Sequence, residues 1–330
     1  MDIGVIFNNT GNALLNAEAL YLVLAAIGLN IHFGYTGLLN FGQVGFLAIG
    51  AYGLAVGVTY LDLPFGFAIL FGLFLAVVLA LLLGIPTLRL RADYLAIVTI
   101  ASSEVIRLVA RSASMRDITG GSSGLTGFAG GFYDLNPLKG NEYGFGPFVY
   151  PASRMWLLLV GWSLVILGCL LVFLLMRSPW GRVLKAIRED EDAVRSLGKN
   201  VVGYKMQSLI LGGLFGALAG FVFALANSSV QPDNYGTQLT FFAYTALILG
   251  GTARVLGPVV GSVVFIGLFI FLENFLVQAI SAGYIPESVM NSNQVGVVRG
   301  MLVGLGLMLL MIFRPQGLFG DKKELALDAR

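Results

Sequence analysis

The sequence predicts an all-α integral membrane protein with about 8–10 transmembrane helices and glycine-rich interrupted segments. Three observations predict it. Hydrophobic residues make up 57% of the chain and charged residues only 12%, with a mean hydropathy of +0.85; soluble domains carry about 25% charged residues. Nearly uncharged runs recur at close to twenty residues, the length a helix needs to cross about 30 Å of hydrocarbon. Between two such runs lies a polar insert, 177–205, which holds seven of the twenty Lys/Arg residues and the acidic run Glu189-Asp190-Glu191-Asp192.

The spans follow in order at 13–31, 44–61, 64–85, 94–110, 155–176 and 206–226. A shorter run at 239–250 has the length of a half-helix, and spans at 256–276 and 295–313 complete nine. No Lys or Arg precedes Arg89. A secretory signal needs a basic start, so the first run is expected to stay as a helix, with the N-terminus outside the cytoplasm. Arg89 and Arg91, the insert, and Arg314, Lys322 and Lys323 are expected on the cytoplasmic side, because Lys/Arg bias sets orientation. Arg107, Arg111 and Arg116 lie toward the outer end of the fourth span and depart from that bias; they are expected to snorkel or to line a wet cavity. Segments 117–150 and 231–240 are expected to be external. The chain reads as one transmembrane domain, 1–320, containing a cytoplasmic insert at 177–205 and followed by a cytoplasmic tail at 321–330.

Several chemistries are disfavoured. No G-x-x-x-x-G-K-[ST] phosphate loop occurs, so the chain is not expected to hydrolyse ATP. It contains one histidine, His32, and one cysteine, Cys169, so no multi-His or Cys metal centre, disulfide framework or cofactor is expected. Its basic residues sit in short loops, which does not point to nucleic acid. No arrangement of catalytic side chains stands out.

Polar residues inside the apolar runs are functional candidates by default. Segments 34–43 and 250–258 interrupt neighbouring spans with glycine, proline and amides, and Asn40 and Gln43 lie in the first. Irregular backbone at membrane depth must be buried in protein or line a cavity, and paired interruptions point to a transport pathway; a pair of interfacial turns is the alternative. Glu104 and Arg107 are three apart and share a helix face, either bracing the bundle or lining the pathway. Gly212, Gly216 and Gly220, Gly257 and Gly261, and Gly300 and Gly304 have the spacing of close helix contacts, with gating as the alternative.

The insert reads as two short helices. Val183, Ile187, Val194 and Leu197 recur near helical spacing. Asp190 is placed to cap the second helix and Gly198 to stop it. Its apolar stripe and two-signed charge suggest a dock for a soluble partner, with a purely topological loop as the alternative.

Taken together, these stretches resemble a known family: the second permease type of bacterial branched-chain amino acid ABC importers. The matching pieces are Gly37-Leu38-Leu39-Asn40-Phe41-Gly42-Gln43, Leu88-Arg89-Leu90-Arg91-Ala92-Asp93-Tyr94, Thr119-Gly120-Gly121-Ser122-Ser123-Gly124, Ser178-Pro179-Trp180-Gly181-Arg182, Gly257-Pro258-Val259-Val260-Gly261 and Phe313-Arg314-Pro315-Gln316-Gly317. The resemblance implies a subunit of the bacterial plasma membrane that forms a pore with a second permease. It implies two cytoplasmic ABC ATPase subunits, an external solute-binding protein, an amino-acid substrate and a shell of lipid. It also implies that the insert couples to the ATPases through Val183, Ile187, Arg188, Glu189, Glu191, Ala193 and Gly198. The general coupling pattern is Glu-Ala-Ala, three residues, Gly; here Asp192 replaces the middle alanine and the glycine is one residue later. Urea or other small-solute permeases of the same family are one alternative. An ion-coupled secondary transporter using Glu104, or a membrane scaffold, is another.

Overall fold

The structure, a computed structural model, describes the chain apart from residues 1–2, 89–91, 139, 141, 146–147, 286–289, 292–293, 314–315 and 320–330. Arg89, Arg91, Arg314, Lys322 and Lys323, which carry part of the basic bias, therefore lie outside the described residues, as does the tail.

Helix α1 (Ile3–Leu14) precedes α2 (Ala17–Leu29), which runs into a π-helical turn at Asn30–Tyr35. An irregular stretch leads to α3 (Gln43–Thr59), α4 (Phe65–Thr87) and α5 (Ala92–Arg111). The next segment holds short helices α6 (Arg116–Thr119) and α7 (Gly130–Tyr133), strand β1 (Leu125–Thr126) and a hairpin of β2 (Glu142–Phe145) and β3 (Phe148–Pro151). Then come α8 (Ala152–Arg177), the insert helices α9 (Pro179–Glu189) and α10 (Glu191–Ser196), and α11 (Val201–Asn227). Strand β4 (Ser229–Val230) pairs antiparallel with β1, and α12 (Gln238–Gly250), α13 (Gly257–Ser281) and α14 (Val295–Phe313) end the described bundle.

Among the described residues, five segments are long and apolar enough to cross a membrane: Ala17–Tyr35, Phe65–Thr87, Ala152–Arg177, Val201–Asn227 and Gly257–Ser281. Helix α3 is apolar but shorter, and α12 has only 13 residues, the half-helix length read from the sequence. Helix α1 was not expected; it packs on α13 and joins it through Asn9 Nδ2 to Asn274 Oδ1, 3.2 Å.

The core forms around α2, whose described side chains are buried almost all round. Helices α8, α11, α12 and α13 pack against it. The Gly212, Gly216 and Gly220 series on α11 explains how the backbones come so close. A Cβ at Gly212 would lie 2.2 Å from His32 Nε2, and one at Gly220 would lie 2.1 Å from the Leu47 carbonyl. Gly300 and Gly304 differ: among the described residues nothing lies within 4 Å of a Cβ there.

The two ends of the bundle are distinct. At one end, β1 pairs with β4, and the 117–150 segment folds down through Phe128 and Phe132, which are buried. At the other lies the insert. Leu88 shares a cleft there with Ile187 and Arg188, and Leu318 and Phe319 donate backbone hydrogen bonds to Leu249 and Gly250. The chain on either side of the basic positions thus gathers at the insert end.

Candidate translocation site

The interruption after α2 is built as a dry hydrogen-bonded joint. Asn30, His32, Thr36, Asn40 and Gln43 are each 2% exposed or less, and buried polar groups must find partners. They do. Leu209 O can only accept, so His32 Nε2 carries the proton across 3.1 Å, and Nδ1 is left to accept from Asn40 Nδ2 at 3.1 Å. Asn40 also donates to Gln43 Oε1 (3.3 Å) and accepts from Gly42 N (2.9 Å). Gln43 Nε2 donates to Gly212 O at 3.0 Å. Thr36 Oγ1 meets Ser208 Oγ at 2.7 Å.

The same joint reaches the second interruption. Asn30 Nδ2 donates to Arg254 O at 2.8 Å, and its Oδ1 accepts from Ala253 N at 2.8 Å. Tyr244 Oη on α12 donates to Asn40 O at 3.0 Å. Two segments far apart in sequence are therefore one polar assembly.

Asn40 and Gln43, expected as possible pathway residues, lie in the packed interior of this arrangement. Both are 0% exposed: Asn40 turns inward to His32, and Gln43, the first residue of α3, donates to the α11 backbone. The alternate residues turn outward: Leu38 and Asn40 are buried, whereas Gly37, Leu39 and Phe41 are partly open. Leu39 and Phe41, with Phe33, Phe241, Tyr244, Thr245 and Ile248, line a mostly apolar recess of about 280 Å³. Phe41 stacks on Tyr244 at 4.6 Å between centroids and tilts against Phe241 at 5.7 Å. The recess lies near the lower end of small-molecule pockets, about 300–1,000 Å³.

Helix α5 borders this surface, since Thr99 Oγ1 accepts from Phe41 N at 3.1 Å. Five residues further on lies Glu104, about 7.5 Å along the axis. Arg107 grips Glu104 through Nε (3.0 Å) and Nη2 (2.5 Å), and its Nη1 reaches Asp233 at 3.1 Å; Arg111 reaches the same carboxylate at 3.2 Å. Arg107, held by Glu104, and Arg111 thus brace α5 to Asp233 in the loop before α12.

The insert forms the two expected helices. Asp190 Oδ1 accepts from Asp192 N (3.0 Å) and Ala193 N (2.9 Å), and Gly198 follows α10 at φ +75°. Glu191 pairs with Lys205 and Arg195, which fixes α10 to α11. The apolar stripe does not project outward as expected. Ile187 and Val194 are 4% and 6% exposed, packed with Val183 against Val201 and Tyr204. The reason is local: two short helices bury their apolar faces on the start of α11. Glu189, Ala193, Leu197 and Gly198 are exposed, with Leu197 at 79%. Arg188 is partly buried and donates from Nη1 to Gly34 O, 2.7 Å.

Comparison with known proteins agrees with this architecture. The profile of the family described as "Branched-chain amino acid transport system / permease component" matches residues 14–311. The high-affinity branched-chain amino acid transport system permease protein LivM of Escherichia coli (strain K12) is 31% identical over 91% of this chain and 67% of its own length. The fructose import permease protein FrcC of Rhizobium meliloti is 31% identical, but over only 32% of this chain and 31% of its own length. PsaBC from Streptococcus pneumoniae in complex with Fab aligns over 94% of this chain and 93% of that one at 16% identity, with a TM-score of 0.44, too loose to bear on the site. With a family match over nearly its whole length and a long relative above 30% identity, this chain belongs to the branched-chain amino acid transport permease family and is a multi-pass membrane permease of that type.

Proposed function

We propose that the chain imports branched-chain amino acids as one permease of an ATP-driven importer. It forms the pore with a second permease, takes its power from two cytoplasmic ATPase subunits and receives substrate from an external binding protein. The carrying observation is the apolar recess of Phe33, Leu39, Phe41, Phe241 and Tyr244 on an interrupted segment. A recess lined mainly by aromatic and aliphatic side chains, with the Thr245 and Tyr244 hydroxyls as its polar groups, suits an aliphatic side chain better than urea or a sugar. The proposed orientation puts the insert and the tail in the cytoplasm and the 117–150 cap outside, against the binding protein. The subunit then hydrolyses no ATP itself. It supplies two arrangements whose populations the ATPases bias.

The exposed rim of the insert, Glu189, Ala193, Leu197 and Gly198, is the proposed ATPase contact, while Val183, Ile187 and Glu191 hold that rim in place from beneath. An ion-coupled mechanism through Glu104 fits less well, because the carboxylate is held by Arg107. The test is uptake of labelled leucine, urea and fructose into proteoliposomes of the co-purified complex. Leucine uptake that requires ATP and weakens in Phe241→Ser is expected. Uptake of urea or fructose but not leucine overturns the substrate; uptake without ATPase subunits overturns the mechanism.

A further inference from the structure

The last carbonyls of the first spanning segment are satisfied one by one, and one of them is satisfied from the insert. Ile31 O accepts from Thr36 Oγ1 (2.8 Å) and Ser208 Oγ (3.2 Å), His32 O from Leu38 N (2.8 Å), and Phe33 O from Gly37 N (3.2 Å). Gly34 O is met by Arg188 Nη1 of α9 at 2.7 Å. Terminal helix carbonyls carry partial negative charge, so the guanidinium is both donor and countercharge there. Its stem lies over Gly37, where φ is +73° and an added Cβ would sit 3.4 Å from Arg188 Cγ. Lys185 Nζ approaches the Tyr35 ring of the same turn at 5.8 Å.

The contact continues beyond Gly34. A Cβ at Gly34 would lie 2.0 Å from Asn30 Oδ1 and 2.8 Å from Ala253 N, so this glycine is pressed directly onto the bond between the two interruptions. Immediately beside it stands Phe33, which lines the recess, and Leu39 and Phe41 follow within the same irregular stretch.

Resting on the reading that the insert receives the ATPases, we propose that Arg188 is a positioning residue for transport. It is the insert's cationic cap on the first spanning segment, and motion of α9 moves the recess wall through it. Displacing α9 while Arg188 holds Gly34 O must displace the π-helical turn, and with it Phe33 and Asn30. The cleft around Arg188, about 240 Å³ and lined by Thr36, Gly37, Leu38 and Ile187, admits water in its place. Loss of the guanidinium therefore leaves the carbonyl hydrated and the bundle assembled, with the link cut.

The experiment compares wild type, Arg188→Gln and Arg188→Lys in the whole complex in proteoliposomes, after membrane level and ATPase content are matched. Leucine imported per ATP hydrolysed should fall on the order of ten- to a hundredfold in Arg188→Gln, the factor that a hydrogen bond to a charged group represents. Arg188→Lys should recover part of it. A Leu39→Cys reporter in a Cys169→Ala background gives a second readout independent of the solute. Nucleotide should change its maleimide labelling rate in the Arg188 background and leave it unchanged with Arg188→Gln. An unaltered import-to-hydrolysis ratio together with an intact nucleotide response in Arg188→Gln overturns the proposal, as does loss of membrane level alone with normal coupling in what remains. If the wild-type complex imports no leucine yet the Leu39→Cys response still depends on Arg188, the substrate reading falls and the link stands.

Discussion

Replacing Asn30 by alanine should measurably loosen the whole bundle. The side chain is 1% exposed and makes two hydrogen bonds of 2.8 Å, accepting from Ala253 N and donating to Arg254 O. Alanine removes both and leaves a backbone donor and a backbone acceptor facing an apolar hole. Each stranded group costs about 1–3 kcal/mol, so the pair costs about 2–6 kcal/mol. At ~2 °C of midpoint per kcal/mol for a chain above 150 residues, the midpoint should fall by ~4–12 °C. Cys169, the one cysteine in the sequence, is partly covered in the folded state and reports the transition to a thiol-reactive dye at fixed heating rate. Asn227→Ala serves as control, since Asn227 is exposed and bonds only within its own helix to Phe223 O; surface changes usually stay within about 0.5 kcal/mol. A midpoint for Asn30→Ala within about 2 °C of wild type would refute the view that this residue joins the two interruptions.

Two further outcomes are expected. Ile187→Asp should lower the membrane level of the permease itself, because it places a carboxylate in a site 4% exposed, whereas Leu197→Asp, at a residue 79% exposed, should leave that level intact and reduce ATPase co-purification; quantitative blotting of both subunits separates them, and the reverse pattern returns the stripe to the partner interface. In a Cys169→Ala background, an impermeant thiol reagent should label Asp134→Cys and not Lys185→Cys in intact cells, and labelling at 185 would invert the orientation.

Much of the fold was legible because membrane spans announce themselves by length and lack of charge. Spans 64–85 and 155–176 correspond to α4 and α8 with edges moved by a few residues. Helix α1 escaped notice: Asn8, Asn9, Thr10 and Asn12 break its apolar run, and only packing on α13 shows its role. The interrupted segments were legible from their glycines, proline and amides. Polarity marked Asn40 and Gln43, and in a dry interior polarity marks what must be bonded inward. The open wall is aromatic and aliphatic, a composition that nothing in a membrane sequence distinguishes from lipid-facing surface. The insert shows the converse case. Its stripe was real, but a periodic apolar face does not say which partner covers it, and α11 covers it first.

The buried joint also has a bearing on the order of synthesis. Asn30 bonds to residues 223 and 224 positions later, His32 to one 177 later, and Gly34 to one 154 later. A ribosome adding about 5–20 residues per second needs roughly 10–45 s to deliver the most distant of these. Over that interval the first spanning segment is already made while the Asn30 amide, the His32 imidazole and the Gly34 carbonyl await their distant partners. Those groups cannot rest in hydrocarbon unsatisfied. The nascent helix must therefore wait in a watery or protein-lined shelter and enter lipid only when the second half of the chain arrives to close it.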